Sequence, residues 1–288
     1  MERRSEIKEH SCSLTTGEKM FFRNAYRETD KAILILHGGC EHSGRYIHLI
    51  KFLWESGYSV FVPDLPGHGR SGGRKGHIDE FSDYLLSVWI IHTGYEGIRR
   101  FGNYQRIHLI GHSMGGLIAA RYVQDYLLDY KPRITSLILS SPLFGWGNVP
   151  IIKVFVENII GRIWPELKFK NPVNPEFLSH DESVVKEYRN DPLVYNFGTA
   201  RLGAELMKNF KIALKEAPKI KIPTLVLLGG DDKIIDSKTT RQFFERIGTN
   251  PEKKHLQIFP GFYHEILNEK ERDKPLNCLR EWLREIDR

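Results

Sequence analysis

The chain has 288 residues and a mass of 33.5 kDa, with 41% hydrophobic and 27% charged residues. A chain of this length can bury roughly three quarters of its unfolded surface, and the composition excludes a disordered, collagen-like or membrane-bundle protein. Lys and Arg number 42 against 36 Asp and Glu, giving +6, but the basic residues are scattered and form no stripe, so no nucleic-acid partner is expected and the excess reads as solvated surface charge.

Two antiparallel strands, around Lys8 to Leu14 and Glu18 to Tyr26, are predicted first, turning at Thr16-Gly17. Ala32-Ile-Leu-Ile-Leu36 follows, a continuous apolar run of the kind a strand shows when helices cover both faces. The same run type recurs at Tyr58 to Val62, Ile107 to Ile110, Ile134 to Leu139, Thr224 to Leu228 and Leu256 to Phe259. Helical stretches lie between them, at about Ser43 to Ser56, Glu80 to Arg100, Met114 to Tyr130, Ser237 to Ile247 and Arg272 to Ile286. Alternating strands and helices imply βαβ units, hence an α/β protein with a mostly parallel central sheet flanked by helices.

The exception runs from Pro142 to about Lys219, rich in Pro, Asn and aromatics and without a buried-strand run. It reads as an inserted, mainly helical cap, dividing the chain into core (1–141), cap (142–218) and core (219–288). Inside it, Ile151 to Trp164 is apolar around most of a helix, with Lys153 and Glu157 marking a narrow polar strip. Such a helix must bury more than one side: either all of it packs within the protein, or it packs on the core with one side and faces a ligand or lipid surface with the other. Ile134 to Ile152 lacks charge, yet Pro142, Gly145, Gly147 and Pro150 make it a strand leaving the core, not a membrane span.

The three cysteines, Cys12, Cys40 and Cys278, share no metal-like spacing and suit reduced thiols in a reducing compartment. Residues Met1 to Lys8 carry both signs of charge with no apolar segment after them, unlike a secretory signal, so a cytoplasmic location is expected.

Chemistry concentrates at Gly111-His-Ser113-Met-Gly115, between the run Ile107 to Ile110 and the helical pattern starting at Met114. In this strand–GxSxG–helix order a sharp turn lifts a nucleophilic serine out of the sheet, and Gly111 and Gly115 have a steric reason to be glycine. A serine hydroxyl needs a base, and the base needs an acid to hold its tautomer. Leu225 to Leu228 ends in Gly-Gly-Asp231-Asp232 at the sheet's carboxyl edge, and the next strand is followed by Gly261-Phe-Tyr-His264. Asp231, Asp232 and Asp236 compete as the acid. Asp231 suits closing the turn and Asp236 suits an N-cap before Ser237, so Asp232 is preferred. His37-Gly38-Gly39 directly after the first buried strand lets the Gly39 N–H pair with that of Met114 as oxyanion donors. Gly67-His-Gly69-Arg-Ser-Gly72 matches a dinucleotide fingerprint formally, but Pro63 and Pro66 precede it and more glycines follow. No metal-ligand motif is present, so no cofactor and no metal are expected.

On these residues the chain resembles the α/β-hydrolases of the monoacylglycerol lipase and lysophospholipase type. The matching segments are His37-Gly-Gly-Cys-Glu-His-Ser-Gly-Arg-Tyr46, Pro63-Asp-Leu-Pro-Gly-His-Gly-Arg-Ser-Gly72, Gly111-His-Ser-Met-Gly-Gly116, Asn190-Asp-Pro-Leu193, Gly229-Gly-Asp-Asp232 and Gly261-Phe-Tyr-His264, spanning almost the whole chain. The resemblance implies the α/β-hydrolase fold, a Ser113, Asp232, His264 triad, Gly39 and Met114 at the oxyanion, and a lid over an acyl tunnel. Glu41 then either lines the pocket or ties down the oxyanion loop, with the second preferred. Phe144, Ile152, Phe155, Ile159 and Tyr195 are expected to offer apolar surface to the substrate. The expected reaction is hydrolysis of a monoacylglycerol to fatty acid and glycerol through an acyl-enzyme, with peripheral lipid contact through the cap. A lysophospholipase or general medium-chain carboxylesterase is the nearest alternative; a non-catalytic binding protein on the same fold is the distant one.

Overall fold

The computed structural model describes residues 6–14, 17–126, 134–147, 163–171 and 173–288. The chain opens with β1 (Ile7–Ser13) and β2 (Lys19–Ala25), paired antiparallel with Cys12 opposite Met20. β2 also lies antiparallel to β4 (Ser59–Pro63), so the predicted hairpin forms one edge of the main sheet. With β4, the strands β3 (Lys31–Leu36), β5 (Arg106–His112), β6 (Ile134–Ser140), β9 (Thr224–Gly229) and β10 (Lys254–Phe259) run parallel. The order across this eight-stranded sheet is β1-β2-β4-β3-β5-β6-β9-β10.

Every residue of β4 and β9 is buried, because helices cover both faces of the sheet. Successive side chains enter opposite layers. Ile33 and Ile35 join Leu225 and Leu227 beneath α1 (Ile47–Glu55) and α7 (Asp273–Ile286), whereas Leu34 and Leu36 join Val226 and Leu228 beneath α2 (Phe81–Thr93) and α3 (Met114–Tyr126). In α7 the buried Leu276, Leu279 and Leu283 recur at helical spacing, which is why that segment seals the sheet's first face.

Two predicted helices have different limits. The stretch from Glu80 to Arg100 stops at Thr93, where a Cβ on Gly94 would lie 2.3 Å from the Ile90 carbonyl oxygen and one on Gly97 2.2 Å from that of Ile91. A 3₁₀ turn over Ile98–Arg100 follows. The stretch from Ser43 begins as a 3₁₀ turn (Ser43–Tyr46) before α1 takes over.

Between β6 and β9 the described residues carry an antiparallel ribbon of β7 (Lys168–Lys170) and β8 (Phe197–Thr199), then α4 (Glu182–Asn190) and α5 (Ala200–Glu216). Strands of three residues are too short to leave a periodic signal, so the ribbon was not predicted. α5 docks on the core through α3: Gln124 Nε2 donates to the Ala213 carbonyl at 2.9 Å and Arg121 Nη1 to Glu216 at 2.7 Å. α6 (Ser237–Arg246) follows β9. Among the described residues no helix is long and apolar enough to cross a membrane.

Candidate active site

Ser113 sits where β5 ends and α3 begins, with φ of +51°, a strained left-handed conformation for a residue with a side chain. The turn is tight enough to exclude side chains at its glycines. A Cβ on Gly111 would lie 2.4 Å from the Gly115 carbonyl oxygen, and one on Gly115 2.3 Å from that of Leu36. The Ser113 amide donates to the Ser140 carbonyl at 3.0 Å, and the Ser113 carbonyl accepts from Leu143 N–H at 2.9 Å. Both backbone groups of the serine are thus held by the end of the neighbouring β6 strand and the segment that follows it.

At that edge the loops after β9 and β10 bring Asp232 and His264 together. Asp232 Oδ2 and His264 Nδ1 are 2.7 Å apart, and Asp232 Oδ1 accepts from the amides of Ile234 at 2.9 Å and Ile235 at 3.2 Å. Burial alone would raise the Asp232 carboxyl, but the facing imidazole and these donors hold it below the ordinary value. Burial pulls the His264 imidazole down, and the Asp232 charge and hydrogen bond outweigh it, leaving its pKa raised. With Nδ1 committed to Asp232, Nε2 is the nitrogen able to take a proton. The His112 ring lies 4.9 Å from that of His264, and burial, followed by the His264 charge, lowers its pKa to about 4, so it stays neutral beside the imidazolium that would form. The rival carboxylates do not face His264: Asp231 is exposed, and Asp236 caps α6 through the Lys238 amide at 3.0 Å.

Gly39 and Met114 line one cavity with Ser113, and a Cβ on Gly39 would lie 3.7 Å from Met114 Sδ. The preceding loop is held by its own polar groups. His37 Nδ1–H donates to the Gly38 carbonyl at 2.7 Å while Nε2 accepts from the Leu65 amide at 2.9 Å, the pattern of a neutral imidazole. Glu41, 3% exposed, accepts from the Gly38 amide at 2.6 Å, the Tyr46 hydroxyl at 2.8 Å and Arg45 at 2.5 Å. Burial would raise this carboxyl, yet the Arg45 guanidinium holds it well below the usual range. Glu41 therefore ties down the loop and does not line the cavity. Cys40, with φ of +63°, does line it; burial pushes its thiol up to about 12, so it stays neutral.

The cavity measures about 110 Å³ and is walled by Leu143, Trp146, Phe169, Val173, Leu202 and Leu206, with Lys170, Asn171 and Thr199 among its polar residues. Two residues expected on it lie elsewhere. Phe144 stacks on Phe243 in the core at 4.0 Å, and the Tyr195 hydroxyl donates to the Gly67 carbonyl at 3.1 Å. Apolar or aromatic character in the insertion does not by itself separate packing from lining. Ile152, Phe155 and Ile159 lie outside the described residues. Arg45, Glu265 and Glu269, which hold the loops of Gly38 and His264, were not anticipated. The i,i+4 spacing of Glu41 and Arg45 was a readable signal; nothing local marks the two glutamates.

A strained serine on a strand–helix elbow, with a carboxylate-paired histidine on a later loop of the same sheet edge, belongs to an α/β-hydrolase. A sequence profile of the family described as serine aminopeptidase, S33, matches residues 27–271. "Phospholipase YtpA" of Bacillus subtilis is 33% identical over 86% of this chain and 93% of its own length. "Monoacylglycerol lipase" of Mycolicibacterium smegmatis is 29% identical over 96% of both chains. The crystal structure of Paleococcus ferrophilus monoacylglycerol lipase superposes with a TM-score of 0.80 at 31% identity, covering 98% of this chain and 99% of that one. The chain belongs to the serine aminopeptidase, S33, family of α/β-hydrolases and is a hydrolase.

Proposed function

We propose that this hydrolase cleaves monoacylglycerols to fatty acid and glycerol, with Ser113 as nucleophile, His264 as base and Asp232 as its orienting acid. Ser113 Oγ attacks the ester carbonyl while His264 Nε2 takes its proton. The amides of Gly39 and Met114 stabilise the oxyanion, and the protonated His264 returns the proton to the departing glycerol oxygen. Water, deprotonated by the same imidazole, then attacks the acyl-enzyme and releases the fatty acid. No metal or cofactor enters any step.

The observation that carries this reading is the apolar cavity opening on Ser113, in a chain whose relatives of similar length include monoacylglycerol lipases. Leu143, Trp146, Phe169 and Leu202, from the described residues of the insertion, line the cavity where a single acyl chain would lie, in keeping with a cap. Each methylene of that chain moved out of water contributes about 0.8 kcal/mol, so a covered apolar tunnel favours longer chains until it is full. Exposed Ile163, Trp164 and Leu167 stand next to Phe169 and Lys170 on the wall of the same cavity, which supports contact between this edge of the cap and a lipid surface.

The phospholipase named among the relatives supports a second reading, hydrolysis of a lysophospholipid. Steady-state comparison of a monoacylglycerol, a lysophosphatidylcholine of equal chain length and an acetyl ester separates the two. The monoacylglycerol is expected to give the highest kcat/KM; a higher value for the lysophospholipid overturns the assignment in favour of the second reading.

A further inference from the structure

The carboxylate of Glu269 is 3% exposed and gathers two segments of chain that lie far apart in the sequence. Its Oε1 accepts from the Tyr263 amide at 2.8 Å and pairs with His180 Nδ1 at 2.8 Å. Its Oε2 accepts from the His180 amide at 2.9 Å and the Ser179 hydroxyl at 3.2 Å. The same segments meet directly: the amides of His264 and Glu265 donate to the carbonyls of Phe177 and Leu178 at 3.3 and 2.8 Å. The His180 ring stacks on that of Tyr263 at 3.7 Å. Tyr263 immediately precedes His264, so the backbone that carries the imidazole is fastened on both sides to residues 177–180 of the insertion. A carboxylate buried this deeply is tolerated because hydrogen-bond partners meet both of its oxygens: Oε1 bridges the two segments through Tyr263 and His180, and Oε2 holds the backbone of His180.

We propose that Glu269 is a positioning residue for the general base: it locks the His264 loop to residues 177–180, so that the imidazole faces Ser113 in the reactive geometry when that part of the insertion is docked. This rests on the reading of His264 as the base. Glu269 touches neither substrate nor reacting atoms. Its effect is on chemistry, since a base displaced by about 1 Å loses on the order of 100-fold in rate, and ground-state binding in the apolar cavity is untouched.

The test is Glu269→Gln, in which one carbonyl oxygen replaces two carboxylate oxygens and the amide nitrogen confronts a donor. On a soluble p-nitrophenyl ester of a short acid, kcat should fall about 10- to 100-fold with KM unchanged within about twofold. Labelling of Ser113 by a fluorophosphonate should slow by the same factor in protein shown to be folded by near-ultraviolet circular dichroism. Glu269→Asp, which keeps both acceptor oxygens, should recover part of the loss. His180→Ala, at a half-exposed side chain, keeps the fold accessible to measurement if the glutamate variant does not fold, and should lower kcat several-fold with KM unchanged. Folded Glu269→Gln or His180→Ala protein with kcat within about twofold of the parent overturns the proposal. His264→Ala separates the two layers of the argument. If it abolishes turnover while Glu269→Gln does not lower kcat, the positioning role alone fails; if His264→Ala retains turnover, the reading of the base fails with it.

Discussion

Arg45 grips Glu265 with both terminal nitrogens, at 2.5 and 2.8 Å, across 220 residues of sequence, and its Nη1 also binds Glu41 at 2.5 Å. One buried guanidinium therefore joins the loop that carries Gly39 to the residue that follows His264. The two halves of the proposed reactive geometry, oxyanion donors and base, share this cation as a common support. Its planar fork matters here, because a lysine could not satisfy Glu265 through two parallel hydrogen bonds while still reaching Glu41.

Replacing Arg45 by Met should destabilise the fold by about 3–5 kcal/mol in urea unfolding, because it strands two buried carboxylates. Adding Glu41→Gln and Glu265→Gln to that variant should recover part of the loss, so the three changes are not additive. Both carboxyls have pKa values below their unfolded ones, against burial and through Arg45, so the stabilisation is complete above the unfolded carboxylate range near pH 4.3 and is lost as pH falls through the lower folded values.

In the proposed mechanism the pH dependence of kcat/KM follows from His264, which acts as base when neutral. Burial lowers its pKa, the Asp232 charge raises it, and the second prevails. Activity should therefore fall on acidification with a midpoint above about 6.5, the ordinary imidazole value. Asp232→Asn removes the raising influence, so its residual activity, reduced about 10⁴-fold, should show a midpoint shifted to lower pH. Asp231→Asn and Asp236→Asn should keep most of the parent activity. A flat profile from about pH 5.5 to 8 contradicts a histidine base.

Much of this arrangement is legible in the sequence. The buried strands announce themselves as runs such as Ala32 to Leu36 because both faces are covered, and the elbow at Ser113 is marked by glycines that the geometry makes obligatory. Asp236 is set apart from the neighbouring carboxylates because it precedes a helix and caps it. What stayed hidden is held by contacts remote in sequence. Phe144 and Tyr195 are apolar or aromatic in the insertion like Leu143 and Trp146, and their placement in core or cavity wall is decided by packing against Phe243 and the Gly67 loop. The end of α2 depends on a close approach at Gly94 that periodicity does not register.

The proposed lipid-facing edge has its own readout. Trp164 is 67% exposed and Ile163 64%, a costly arrangement in water that contact with a bilayer would relieve. Trp164→Ala should lower activity on monoacylglycerol dispersions several-fold while leaving turnover of a soluble short ester within about twofold. Equal losses on both substrates point to a packing role for Trp164 instead.

The most direct measurement is the mass of the enzyme quenched during turnover of a long-chain monoacylglycerol. The acyl-enzyme mechanism predicts one acyl group added to the peptide holding Gly111 to Gly116, with glycerol released before fatty acid, and Ser113→Ala should show neither adduct nor turnover. An adduct on another residue, or substantial turnover by Ser113→Ala, contradicts it.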